Sequence, residues 1–438
     1  MKKLLIMILV GGLLGTADEP LKYSLDKCIG YALEHSPGLD NQKIAADLRK
    51  LEVAIQEARF DFKLMAGDSH YAQEGENNLN VTLAKELENG LDLSAWVDSS
   101  HRNGEGVNGN TLALRVSKTI LGGGSRLETR YDLEAAMLDS LMALNTYART
   151  RRKLVQDIKV AYYNVISAQQ SLLVKQRALE NARRTLAMTR EREKPLDIIT
   201  AEIRIPDNEL AVNTATRAIQ SGLESLKKLM GMPISEPFDI TGEFDFGIHE
   251  FDLKADLEWA RENLETFVNN RLTRKKLDMQ VRIKDEHTLP TVSLAATHYQ
   301  YGSGRHFDTK GKDEQLFSVN LTWELGRRAD LARLGIARCN LAVNQNDYFA
   351  LDQELATSLT DYHRRLREAA QGVVLREQLC QLQQRKQELY ADRWENGEID
   401  ILELVRAQTD LEDAAVSLIN QKITYLELLA YYEYTMGK

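Results

Sequence analysis

Side chains able to make or break bonds are scattered through this chain without the spacing such chemistry needs. Its eight histidines never form His-Glu-x-x-His, no Cys-x-x-Cys occurs, and no close His/Asp cluster could hold zinc. The run Gly122-Gly123-Gly124 is followed by Ser125-Arg126, where a phosphate loop needs a lysine and a hydroxyl, so it reads as a bend between strand and helix. No Gly-x-Ser-x-Gly elbow appears. Tyr162-Tyr163 and Tyr431-Tyr432-Tyr434 read as packing residues. The expectation is no enzyme, no cofactor and no metal. What remains is charge: Asp400, Glu403 and Arg406 stand three apart and so share one helix face.

The elements that would position those charges begin after a secretory signal peptide. Met1-Lys2-Lys3 precedes an apolar run, Leu4 to Leu14, and small residues stand at Gly15 and Ala17, so residues 1–17 are expected to be removed. That run is too short for a membrane span, which needs about 20 residues, and no later stretch offers 18 consecutive apolar ones. An exported chain of this kind is periplasmic, secreted, or embedded as a β-barrel. Cys28, Cys339 and Cys380 are too few for a disulfide framework. Cys28 follows the polar pair Asp26-Lys27, so no lipoprotein box is present. The net charge of −9 becomes −11 when Lys2 and Lys3 leave, which argues against nucleic acid as a partner.

The mature chain reads as one unit written twice, 18–231 and 232–438. At a shift of about 206, Ala407 falls on Ala201, Gln408 on Glu202, and Met436-Gly437 on Met230-Gly231. Each copy opens with a helix, about Leu25–Arg59 and Leu253–Asp285. Short alternating segments follow, within about 62–121 in the first copy and 290–325 in the second. The first copy carries an additional hairpin around Leu79–Val97 that turns at Asn89-Gly90. Long helical stretches come next, about Arg126–Arg192 and Arg328–Trp394, each about 100 Å at 1.5 Å per residue. Their partners are Leu196–Met230 and Ile399–Met436, so that long helices fill about 126–230 and 328–436. In the first long stretch apolar residues recur in steps of four and three from Leu154 through Ile158, Val165 and Leu172 to Leu186, a coiled-coil seam with only Lys175 out of place. Tyr71, Trp96, Tyr299, Tyr301 and Trp323 flank the strands as the aromatic girdles of a membrane barrel do, but one chain has too few strands to close one.

The segment Trp394-Glu395-Asn396-Gly397-Glu398-Ile399-Asp400-Ile401-Leu402-Glu403 resembles the repeated turn of the TolC family of outer-membrane efflux proteins. Leu121-Gly122-Gly123-Gly124, Leu325-Gly326-Arg327-Arg328 and His35-Ser36-Pro37 are in keeping with it. The resemblance implies a mainly α fold with a β-barrel portion. Three chains would give four strands each to a shared 12-stranded barrel in the outer membrane, and antiparallel coiled-coil helices to a periplasmic α-barrel tunnel. It implies a passive conduit of a tripartite efflux or type I secretion system, with a periplasmic adaptor, an inner-membrane pump or secretion ATPase, and outer-membrane lipid as partners. The tunnel tips map to Met188–Thr200 and Asp392–Arg406. Asp400 and Glu403 fall where the family places constriction acids, with Arg406 poised to neutralise Glu403 and Asp197 a weaker counterpart. For any one of these acids, an ordinary solvated helix charge is the other reading. Trp394, Gly397 and Glu398 form the docking turn, and Glu191 and Pro195 mark its altered first copy. Pro206 is expected to bend the helix that contains it. The competing reading is a periplasmic coiled-coil scaffold or adaptor without a barrel.

Overall fold

The computed structural model describes residues 21–71, 76–102, 108–191, 194–241, 246–303 and 311–438; residues 1–17, expected to be a signal peptide, lie outside them. A short strand, β1 (Leu21–Tyr23), leads into α1 (Leu25–His35) and α2 (Pro37–Glu57). The single opening helix expected from periodicity is therefore cut at Ser36. Proline pushes the residue before it out of the helical region, and Ser36 is extended, with φ −70° and ψ 117°. Pro37 then opens α2, where its missing N–H costs no hydrogen bond. Strands β2 (Lys63–Tyr71), β3 (Glu76–Glu86), β4 (Leu91–Arg102) and β5 (Asn108–Leu121) follow. Next come α3 (Arg126–Glu191, 66 residues) and α4 (Pro195–Met230, 36 residues).

The same order then recurs. β6 (Phe238–Ile240) precedes α5 (Leu253–Asn263) and α6 (Glu265–Glu286), parted at Leu264, which is extended. β7 (Thr291–Ser303) and β8 (Asp313–Thr322) lead to α7 (Arg328–Glu395, 68 residues) and α8 (Ile401–Met436, 36 residues). β1 and β6 escaped the sequence reading because three residues are too few to show alternation. They pair in parallel, Leu21 with Phe238 and Tyr23 with Ile240. α4 runs without interruption through Pro206.

The chain divides into two compact units that each draw on both halves of the sequence. One comprises Met1–Asp40, Arg151–Asp256 and Ser358–Lys438. Its core joins Cys28 and Ala32 of α1 to Ile158, Tyr162, Val165 and Ile166 of α3, Leu226 and Met230 of α4, and Phe238 and Ile240 of β6. Tyr162 anchors its hydroxyl on the Thr241 carbonyl at 2.7 Å, and Tyr432 donates to Asp256 at 2.7 Å. Burial pushes the Cys28 thiol up to about 12, so it is inert at neutral pH. Of the expected α3 seam, Ile158, Val165 and Ala182 are buried, while Leu154, Leu172 and Leu186 are half-buried. Toward the tip the buried stripe moves to the smaller Ala178, Ala182, Thr185 and Thr189.

The other unit comprises Asn41–Thr150 and Leu257–Thr357 and holds a six-stranded antiparallel sheet in the order β2-β3-β4-β5-β7-β8. The resemblance implies four strands per chain; the hairpin β3–β4 supplies the additional two. β5 leaves the sheet through the Gly122-Gly123-Gly124 bend, where all three residues have positive φ. Ser125 accepts the Glu128 N–H, and Glu128 reaches back to the Gly124 N–H at 2.6 Å, as a capping box does. The other carboxylate oxygen of Glu128 is 2.6 Å from His287 Nε2, which ties the start of α3 to the end of α6. Lys276 and Asp139 add an ion pair at 2.7 Å between the same helices.

A Cβ on Gly122, whose φ is +74°, would lie 2.4 Å from the Pro290 carbonyl oxygen. Gly122→Ala therefore strains both the backbone and the junction, and its expected cost is about 2 kcal/mol or more. A thermal melt of the purified variant that overlays the parent would overturn this.

Candidate functional site

The expected tip residues lie where the long helices turn back. Trp394, the next-to-last residue of α7, is 3% exposed, so this aromatic packs within the turn rather than presenting itself at the surface. Gly397 takes φ +76°, a left-handed conformation costly for any residue with a Cβ. It lets the Gly397 N–H reach the Trp394 carbonyl and the Glu398 N–H the Arg393 carbonyl. Glu398 also pairs with Arg393 at 3.1 Å, both exposed. Asp400 is the N-cap of α8, its carboxylate 2.7 Å from the Ile401 N–H. One of its oxygens is thus committed to the backbone, as N-cap acids commonly are. Glu403 and Arg406 are both exposed on α8, and no ion pair joins them among the described residues. At the other turn Glu191 is the exposed last residue of α3, Pro195 is the first residue of α4, and Asp197 is half-buried in its first turn.

Behind the tips lies a polar network that the sequence signalled only through Lys175. Arg204 of α4 donates to Thr409 at 2.9 Å and to Glu412 at 3.3 Å, both on α8. Lys175 of α3 stands 3.8 Å from the other oxygen of Glu412. Three helices are cross-linked through one carboxylate with 14% of its side chain exposed. Burial pushes the Glu412 carboxyl above the usual range, and Arg204 and Lys175 pull it partly back. Closer to the tip, Gln408 donates to Thr185 at 3.3 Å, a buried hydrogen bond between α8 and α3.

In the other unit the sheet has two chemically opposite faces. Paired residues share a face, and the pairing Leu64–Leu83–Ala95–Leu114 runs through four strands. Val81, Val97 and Leu112 join that face from the neighbouring row, as do Leu93 and Val116. On β7 and β8 the same face carries Val292, Leu294 and Ala296 opposite Leu321, Val319 and Phe317. The other face reads Asn80–Asp98–Thr111, Ser94–Arg115–Thr297 and Ser293–Asn320. Trp96, Tyr299 and Tyr301 lie on this polar face, where Trp96 meets Tyr299 edge-on and Tyr299 stacks on Tyr301. Their reading as girdle residues is corrected accordingly. The apolar face is open: Leu64, Phe317, Val319 and Leu321 are 66–77% exposed.

No protein-family model and no curated protein sequence matches this chain. Solved structures do. The outer membrane protein VceC of Vibrio cholerae superposes with a TM-score of 0.71 at 16% identity, covering 94% of this chain and 96% of its own. CusC gives 0.73 at 12% identity, covering 98% and 95%. The Campylobacter jejuni CmeC outer membrane channel gives 0.70 at 15%, covering 94% and 85%. The fold is that of TolC-like outer-membrane channels, over nearly the whole chain, as the resemblance in the turn sequence implies. No described helix is long and apolar enough to cross a membrane. No cluster of metal-ligating side chains occurs among the described residues.

Because the folded state holds the Glu412 proton more tightly than the unfolded chain, this site's contribution to stability is complete below the ordinary carboxylate range. It is lost as pH rises through the Glu412 titration. Glu412→Gln retains a neutral side chain, so its melting midpoint should fall less than the parent's between about pH 4 and 7. Parallel pH profiles would count against this assignment.

Proposed function

We propose that the chain is a subunit of an outer-membrane export channel, a passive conduit that reaches from the outer membrane into the periplasm and assembles as a homotrimer. The observation that carries this reading is the two-faced sheet. A continuous apolar surface on one side, a polar one on the other and two open edges suit a wall segment of a membrane barrel with lipid outside and water within. Six strands are too few to close alone, so copies must combine. The helices support the same requirement. α2 exposes Ile44, Leu48, Leu51 and Ile55, and α7 exposes Leu375, Leu379, Leu382 and Leu389. Both stripes follow steps of three, four or seven, the pattern of a helix seam awaiting a partner. A scaffold without a barrel gives no account of the sheet's apolar face.

In this reading the conduit is passive and draws its energy from elsewhere. A periplasmic adaptor and an inner-membrane pump or secretion ATPase would supply it, docking at the exposed Gly397-Glu398 turn and at Glu191 and Pro195. Glu403 is the constriction acid in this reading. Asp400 contributes charge while capping α8, Asp197 is its counterpart on α4, and Arg406 offsets part of the ring.

Two measurements test this. The full-length protein should sediment with the outer membrane, require detergent for extraction and run as a trimer in light scattering; release by osmotic shock alone would remove the channel reading. In planar bilayers, Glu403→Ala should shift the reversal potential toward lower cation preference. An unchanged reversal potential would sink the assignment of Glu403 to the constriction.

A further inference from the structure

We propose that all six strands of each copy form the membrane wall, that β2 of one copy pairs with β8 of the next, and that the closed trimeric barrel has eighteen strands. The inference rests on the channel reading above and adds the strand number, the seam between copies and the width of the bore.

The decisive element is the hairpin β3–β4. A hairpin lying outside the membrane would have no reason to make one face apolar, yet Leu79, Val81 and Leu83 of β3 and Leu93, Ala95 and Val97 of β4 all share the apolar face of the sheet. They continue the band without a gap from Leu64 and Ala66 on β2 to Leu112, Leu114 and Val116 on β5. Polar residues on this face lie beyond the band's ends: Lys85 and Lys118 past one end, His298, Gln300 and Gln315 past the other.

The band also crosses the sheet at a slant. The pairing row of Leu64 arrives on β8 at Gln315, whereas the band on β8 centres on Val319, four residues further along the strand. Four residues amount to about 13 Å along the strand, and five strand spacings to about 24 Å across. The strands are therefore tilted by about 30° from the normal to the band, close to the tilt that barrel closure imposes. A planar layer of lipid would see a level belt only if all six strands were tilted within it together.

The edges fit each other. Every neighbouring pair in the sheet is antiparallel, so the outermost strands β2 and β8 run in opposite directions. Placing β8 of one copy beside β2 of the next continues the alternation around a ring. Their lengths match, at 9 and 10 residues. Neither contains a proline, the residue that would blunt an edge. With a strand spacing of about 4.8 Å and a tilt of about 40°, twelve strands enclose a backbone cylinder about 24 Å across, and eighteen one of about 36 Å.

The test is an electron-microscopy map of the detergent-extracted full-length protein. Eighteen strands around a threefold axis are expected. Twelve strands with β3–β4 projecting from the wall would overturn the inference and leave the channel intact, whereas absence of a barrel would overturn the channel reading itself. A second measurement needs no map. In proteoliposomes of the Cys339→Ser, Cys380→Ser protein, with Cys28 buried, Val81→Cys or Val97→Cys should react with a charged maleimide at least about tenfold more slowly than Asn80→Cys, because a thiol facing lipid ionises poorly. Equal rates at the two faces would place the hairpin in water and end the proposal.

Discussion

A backbone N–H or C=O left without a partner in lipid costs several kcal/mol, so a sheet can enter a membrane only when it has no edge. In the proposed channel, most features of this chain's sheet unit follow from that constraint. The six strands alternate strictly enough to keep one face apolar from Leu64 on β2 to Leu321 on β8. Their number is even, so the two edges have complementary directions. The departures from regular structure sit where strands hand over to helices. The one register shift on β5 falls between Thr119 and Leu121, directly before the Gly122-Gly123-Gly124 bend. There the chain needs a bulge and a run of positive φ to leave the sheet, and Glu128 fixes the exit by holding both the Gly124 N–H and His287.

The helical unit solves a different problem. Long helices cannot bury a broad face in a globular core, so stability comes from narrow seams. A seam of small residues such as Ala178, Ala182 and Thr185 supplies close approach but little apolar area. Polar cross-links then matter more. Arg204 and Asp410 correspond under the internal duplication, with opposite charges: Arg204 binds Glu412, and Asp410 binds Lys386 at 2.8 Å. The first pair therefore joins α4 of one copy to α8 of the other, whereas the second joins α7 and α8 within one copy. The most buried of these carboxylates, Glu412, is the one that carries two cationic neighbours, as the cost of desolvating a charge requires.

Long, strongly periodic segments were legible in the sequence. The bounds of α3, α4, α7 and α8 fall within a few residues of those expected, because a long stretch without a helix breaker repeats one signal, to which α3 adds its heptad steps. The strands of the sheet were legible for the same reason, with alternation sustained over nine or more residues. The three-residue strands β1 and β6 carry no such repetition and depend on a parallel pairing between segments more than two hundred residues apart. The break at Ser36 was written in the following proline, but periodicity on either side masked it. At the tips, residue types marked the turn, and only geometry separated Trp394, which packs inside it, from Glu398, which stands at its surface. That Trp96, Tyr299 and Tyr301 lie on the polar face is set by register, which position along a strand does not give. Trp96 stands between Ala95 and Val97 of the apolar face, and a shift of one exchanges the faces.

The same arithmetic of commitment applies to the acids of the second tip. A carboxylate that caps a helix has spent part of its charge on backbone N–H groups and is held in one orientation, so Asp400 is fixed by the fold before any assembly forms. Glu398 is held by Arg393. Glu403, exposed and joined to no cation in an ion pair among the described residues, is the acid whose field is least spent on local structure. In a proposed ring of three copies that field would add to itself, while Arg406, one turn further along α8, sets how far it extends along the axis. The charge balance of such a constriction then depends on the spacing between Glu403 and Arg406 rather than on the number of acids in the turn.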